Sequence, residues 1–464
     1  MISNSSLEVI NRIKQDFEDA HVGRLKRYLT QPSISALNLG VQEMAELLSS
    51  DIEGLGGVSR VVQTSELPVV FAKLDEGADK TLLLHGLYDV TPADEESWTI
   101  PPFEPEIRNV EGIGRSIIGR GAEDMKTPIA SAMNVIASYR ELGKTLPVNL
   151  IMVFEASELG SGGIRDFVNK HQKEILESDL VLWLCPMAHS NGVPIVPLSI
   201  KGNLMGRLIC KGGDWGGPVG NEMHALNSNW VGNPATRLSE AIVHIEHSLE
   251  RDYAQGRGWC PSDSQIKLAN NLMKRLNEQQ IKTLLGVSKF KYHDFADALM
   301  AHLFRPQFTV VGIRSGFVGE GKSIKISIPS DAEAAVNMRF QPGETPDQGI
   351  SRIKKILDDG GFQDIVFEVF NAYSGGGASP DDKVVQCVLD VHNEMGANPE
   401  VWPVHPIGIP VSIWTDRLKL PWIGGLPCHA GNKHAANEYA QISGILSSEE
   451  FLVRLMDRIA VTDL

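Results

Sequence analysis

Apolar residues at Ile10, Ile13, Phe17, Val22 and Leu25 recur at roughly helical spacing and predict a helix over 7–30, ended by Pro32-Ser33-Ile34-Ser35. A second helix is expected over 39–50. Short apolar runs then follow at 69–74, 81–85, 148–155 and 180–185, with helical stretches at 127–142 and 162–176 between them. Strands that alternate with helices predict an α/β architecture: a mostly parallel sheet covered by helices, whose strand ends and loops carry the chemistry.

After Lys201-Gly202 the pattern changes. Residues 203–211 and 307–340 read as strands, 234–250 and 346–359 as helices, and 251–305 as a charged, mostly helical insertion. Together they predict an inserted α+β domain. A glycine-rich link around Asn371-Ala372-Tyr373-Ser374-Gly375-Gly376-Gly377 leads back to a helix at 381–395, a strand near 420–425 and a final helix at 441–460. The expected organisation is therefore one domain in two parts, 1–202 and 373–464, around an inserted domain at 203–372.

A net charge of −15, from 43 Lys and Arg against 58 Asp and Glu, argues against a nucleic-acid or anionic-membrane surface, both of which need clustered cations. A small-molecule substrate fits better. Residues 1–17 read as a charged amphipathic helix start and no apolar spanning segment follows, so a cytoplasmic location is expected. Cys185, Cys210, Cys260, Cys387 and Cys428 show no CxxC spacing, which indicates neither a disulfide framework nor a zinc ribbon.

The candidate chemistry starts from Gly119-Arg120-Gly121-Ala122-Glu123-Asp124-Met125-Lys126, a glycine-pinned loop that presents Asp124 just before a helix with Pro128 in its first turn. Asp89, Glu158 in Phe154-Glu155-Ala156-Ser157-Glu158, and His434 in His434-Ala435-Ala436-Asn437-Glu438 also fall at strand ends or loops. A histidine and two carboxylates at one sheet edge suit a divalent metal with an open coordination position. The alternatives are a helix-start acid at Glu158 and a structural histidine at His434.

Further stretches give a family resemblance. Trp98-Thr99-Ile100-Pro101-Pro102-Phe103-Glu104-Pro105, the Gly119 loop with Asp124 and Lys126, Phe154-Glu155 with Glu158 and Gly160-Ser161, and His434 with Asn437 and Glu438 resemble the carnosinase-like dipeptidases. These belong to the aminoacylase and carboxypeptidase group of two-zinc metallopeptidases. Asn233-Pro234-Ala235 and Asn337-Met338-Arg339-Phe340-Gln341-Pro342 extend the likeness into the inserted domain. The resemblance implies a split catalytic domain, a dimerising lid and a dipeptide-like substrate.

The departures are as informative. The family's metal-binding histidine of His-x-Asp is Leu87 here, with His85 two residues earlier on the same strand face and about 6 to 7 Å further back. The family's general base falls on Ser157, whose hydroxyl cannot take a proton from water near neutral pH. A further first-site aspartate aligns with Cys185, Met125 replaces a common acid, and Pro406-Ile407-Gly408-Ile409-Pro410 replaces the family's Gly-Gly-Ser-Ile-Pro. The second metal set, Asp124, Glu158 and His434, is complete by resemblance. His224 resembles the lid histidine that stabilises the oxyanion, and Arg339 the arginine that pairs with the substrate carboxylate.

Three readings follow: a peptide-bond hydrolase with at most one divalent ion, zinc by resemblance; a silent relative that binds a small ligand or protein partner and holds no ion; and a metal-free enzyme using Cys185 with His85 or His189.

Overall fold

A computed structural model of the chain describes residues 2–156, 162–257, 259–317 and 325–464. Contacts divide it into two compact units, one comprising Met1–Leu198, Gly377–Pro403 and Ile413–Leu464, the other Ser199–Gly376 and Val404–Ser412.

The first unit is built on a six-stranded sheet in the order Val58–Val62, Val69–Leu74, Asn149–Glu155, Thr81–Leu87, Leu180–Pro186, Trp422–Leu426. The last four run parallel, and the mostly parallel α/β architecture expected from the apolar runs is present. Strands 81–87, 149–155 and 180–186 are buried along nearly their whole length, which explains why they read as continuous apolar runs rather than alternating ones. The helix Lys126–Glu141 packs on strands 81–87 and 180–186 and is covered in turn by Asn4–Asp16, Val22–Thr30 and Ile442–Ala460. All of its residues from Lys126 to Tyr139 are buried, so the loop feeding it starts from a fixed end. The N-terminal helical run is interrupted by a π-helical turn at Phe17–His21, where the buried His21 ring meets Glu449 at 2.6 Å.

A smaller sheet pairs Glu106–Val110, Gly114–Ile118, Tyr439–Gln441 and Ala430–Gly431. Two of these strands, Tyr439–Gln441 and Ala430–Gly431, carry too few residues to show an alternating pattern, yet the sheet anchors both chemistry-bearing loops. Residues 119–125 leave one strand, and residues 432–438 connect two others.

The second unit has an antiparallel sheet in the order Gln307–Ser315, Asp331–Phe340, Ser199–Lys211, Ile365–Tyr373. In Asp331–Phe340 every second residue, from Ala332 to Phe340, points into a core shared with Leu238, Ala241 and Ile245 of the helix Pro234–Ala254. The alternation is that of a sheet with helices on one face. Among the described residues, no helix is long and apolar enough to cross a membrane.

Candidate functional site

The Gly119 loop is held from the opposite loop by one carboxylate. Glu438, 1% exposed, accepts the backbone N–H of Gly121 at 3.1 Å, of Glu123 at 2.7 Å and of Asp124 at 2.9 Å, and takes the Arg120 guanidinium at 2.8 Å. Burial pushes the Glu438 carboxyl up, while the Gly121 and Asp124 amides and Arg120 oppose that shift. The Gly119 N–H donates to the Glu438 carbonyl, and Asn437 accepts both the N–H and the hydroxyl of Thr99. Gly121 sits at φ +91°, and a Cβ there would come within 2.9 Å of Val90 and 3.1 Å of Lys126, so this position requires glycine. The peptide bond between Asp124 and Met125 is cis.

On this cradle Asp124 is 4% exposed. Its Oδ2 lies 3.0 Å from His434 Nε2 and 2.7 Å from the Lys433 ammonium. His434 takes a left-handed backbone at φ +59° within the tight 432–438 loop. Two ligands of one tetrahedral zinc at about 2.0 Å each stand about 3.3 Å apart, so the Asp124–His434 spacing suits joint ligation of a single ion. Glu158, the third member of that expected set, lies outside the described residues, as does Ser157. Among the described residues no group of three or more His, Cys, Asp or Glu side chains is arranged to hold a metal.

A two-ion centre does not fit these residues. Leu87, 9% exposed, ends the strand Thr81–Leu87 and pairs in register with Glu155. Leu87 and Cys185 lie at or next to the ends of adjacent parallel strands whose paired register runs to His85 and Trp183. Neither position carries the ligand that the resemblance would place there. His85 offers no replacement, because its Nε2 pairs with Glu155 at 2.8 Å, both groups being buried, and its ring packs edge-on to Trp414. Burial pushes the Glu155 carboxyl up and His85 holds it down.

Cys185 is buried and its thiol contacts the Pro186 carbonyl at 3.6 Å. Burial pushes this thiol far up, Lys433 pulls it down, and Asp124 and Glu123 push it further up. His189, like His85, is engaged elsewhere, with Glu400 at 2.8 Å. Glu123 is raised to about 7, by burial first, with Lys433 opposing and Glu438 and Asp124 adding to the shift. Asp89 is buried after its strand. Lys126, fully buried, donates to the Tyr28 and Gln31 carbonyls and is pushed down by burial to about 7, against the pull of Glu438 and Asp89. Two roles escaped the sequence reading: the Glu438 cradle, and Lys433 on Asp124. The signal for the second was a basic residue directly before His434.

His224 and Arg339 belong to the second unit. His224 is exposed at the end of a two-residue strand, and its Nδ1 accepts the Leu226 N–H at 3.1 Å. Arg339 is partly buried and donates to the Pro406 carbonyl. Around it, Lys201 donates to the carbonyls of His302 at 2.8 Å and Arg305 at 2.7 Å. Burial first, then nearby positive charge, pushes Lys201 down to about 7, His302 to about 4 and His405 to about 3.

A pH effect follows from Lys201. Its folded pKa lies below that of a free lysine, so between about pH 7 and 10 the unfolded chain binds more protons and stability rises with pH. Lys201→Met is expected to reduce that rise by up to about 1.4 kcal/mol per pH unit, read from denaturant midpoints across the window. An unchanged slope would show that Lys201 stays charged in the fold.

Fold and site define an α/β protein of metallopeptidase type, its acidic loop and histidine loop meeting beside a parallel sheet. A family model described as Peptidase family M20/M25/M40 matches residues 83–458, and the chain belongs to that family. The Cys-Gly metallodipeptidase DUG1 of Candida albicans is 26% identical over 393 residues, 78% of this chain and 74% of that protein. The human Beta-Ala-His dipeptidase is 25% identical over 305 residues, 63% of this chain but only 56% of its own length. The crystal structure of Sso-CP2, an M20 family metallo-carboxypeptidase from Sulfolobus solfataricus, shares the fold with a TM-score of 0.83 at 24% identity, covering 96% of this chain and all of that one.

Proposed function

We propose that the protein is a peptide-bond hydrolase of the dipeptidase type, acting on a small carboxylate-bearing substrate with at most one divalent ion. The observation that carries this reading is the meeting of Asp124 Oδ2 and His434 Nε2 at 3.0 Å on the Glu438 cradle. With Glu158 they would hold one zinc, which when bound would polarise the scissile carbonyl. Arg339 would take the substrate carboxylate as a planar two-pronged donor, and His224 would stabilise the oxyanion across a dimer formed through the 203–372 domain. Ser157 leaves the family's base position without a carboxylate, so turnover is expected to be orders of magnitude below that of a two-ion enzyme.

A silent binder is the second reading, favoured by Leu87, Ser157 and the ammonium of Lys433 on Asp124. The Cys185 route is opposed by a buried thiol with a raised pKa and by histidines committed to Glu155 and Glu400.

The deciding experiment assays zinc-loaded protein at high concentration against a panel that includes Cys-Gly and β-Ala-His, with His434→Ala as control. Slow turnover lost in the variant and on chelation is expected. No release of amine from any dipeptide would leave the binder.

A further inference from the structure

We propose that Lys433 is a tethered cation that takes over, at Asp124, the charge supplied elsewhere in the family by the first metal ion. The Lys433 ammonium contacts Asp124 Oδ2 at 2.7 Å, the same oxygen that His434 approaches. Asp124 is 4% exposed, and a carboxylate held ionised at that depth needs a cation or strong donors beside it. The first-site ion would be held by positions 87 and 185 together with this aspartate. Leu87 and Cys185 lie at or next to the ends of adjacent parallel strands, Thr81–Leu87 and Leu180–Pro186. Lys433 lies near enough to Cys185 and Glu123 to be the leading opposite charge acting on each. The ammonium therefore sits among the groups around the lost site, and it reaches them from the residue next to His434.

Ammonium and divalent ion cannot share one carboxylate oxygen without strong repulsion, so a lysine there opposes a first-site ion and weakens any ion that uses Oδ2. The Lys433 side chain is 45% exposed, so solvent screens its outer side, but the oxygen it contacts belongs to a carboxylate that is 4% exposed. The proposal rests on Asp124 being the carboxylate of the family's metal site. It does not require turnover.

The test is calorimetric titration of zinc into the full-length protein after chelator treatment, comparing wild type with Lys433→Met and Lys433→Arg. Lys433→Met is expected to bind zinc about tenfold or more tightly, or to take an additional ion, because removal of a like charge at contact distance is worth at least that much. Lys433→Arg keeps the charge and should titrate as wild type. Lys433→Met that matches wild type in both affinity and number overturns the proposal. If Lys433→Met unfolds without metal, zinc should restore its thermal transition, since an ion can replace the missing ammonium; failure of zinc to do so also overturns it. An inactive protein that shows the zinc gain would keep this proposal and remove only the hydrolase reading.

Discussion

Glu438→Ala is expected to cost about 3–5 kcal/mol of stability, because it strands the guanidinium of Arg120, 2% exposed, in the interior. The Gly121, Glu123 and Asp124 amides lose their acceptor in the same step, and each buried donor left unpaired adds about 1–3 kcal/mol if water does not reach it. Glu438→Gln should be nearly as damaging, since an amide nitrogen would face donors on one side of the cradle. Glu438 is the carboxylate that ties three successive parts of the loop together; what remains without it is the Lys126 N–H on the Gly121 carbonyl, the Thr127 hydroxyl on the Ala122 carbonyl and the His434 and Lys433 contacts of Asp124 itself. Loss of the cradle should therefore remove zinc binding along with stability. Denaturant unfolding of Glu438→Ala, Arg120→Ala and the double variant checks this. Removal of Arg120 in the Glu438→Ala background should recover part of the loss, which is the signature of a coupled buried pair. A loss below about 1 kcal/mol in Glu438→Ala would mean that the loop is held by packing alone.

The sheet was legible because strands 81–87, 149–155 and 180–186 are buried on both faces, and their apolar runs survive without any tertiary information. Asp124 and His434 were legible for a different reason: glycine spacing marked one loop, and family motifs marked both. What the sequence could not convey is pairing across more than three hundred residues. The role of Glu438 depends on four donors from 120–124, and that of Lys433 on which way its side chain turns in a loop with left-handed residues at Asn432, His434 and Asn437. The short strands Ala430–Gly431 and Tyr439–Gln441 gave no periodic signal, although they place both loops. His85 bears out what its spacing already argued: it stands too far back on the strand to replace the ligand at 87, and in the fold it is engaged by Glu155.

Placing the family's ligands and base at the three replaced positions and removing the Lys433 ammonium is expected to give a two-ion centre. Leu87→His, Ser157→Glu, Cys185→Asp and Lys433→Ala together would return a ligand to each first-site position, restore the carboxylate base and withdraw the competing ammonium. Positions 87 and 185 end adjacent parallel strands, and residue 157 follows the third strand, 149–155, which flanks 81–87 on its other side. Neighbouring strands lie about 4.8 Å apart, so positions 87 and 185 are close enough in the sheet for ligands on both to reach one ion. A positioned base alone contributes about 10²–10⁴ in rate, so the quadruple variant should exceed wild type by at least about 10³ in kcat/KM on dipeptides once zinc is supplied. The variant should also need zinc to be stable, because His and Asp at two nearly buried positions are desolvated until an ion pairs them. Zinc at about a hundred times its dissociation constant would then raise stability by about 2.7 kcal/mol, a shift that wild type should not show to the same degree. Two bound ions with no gain in turnover would place the limit on turnover elsewhere, as at the replaced Pro406-Ile407-Gly408 stretch of the second unit, rather than at these four positions.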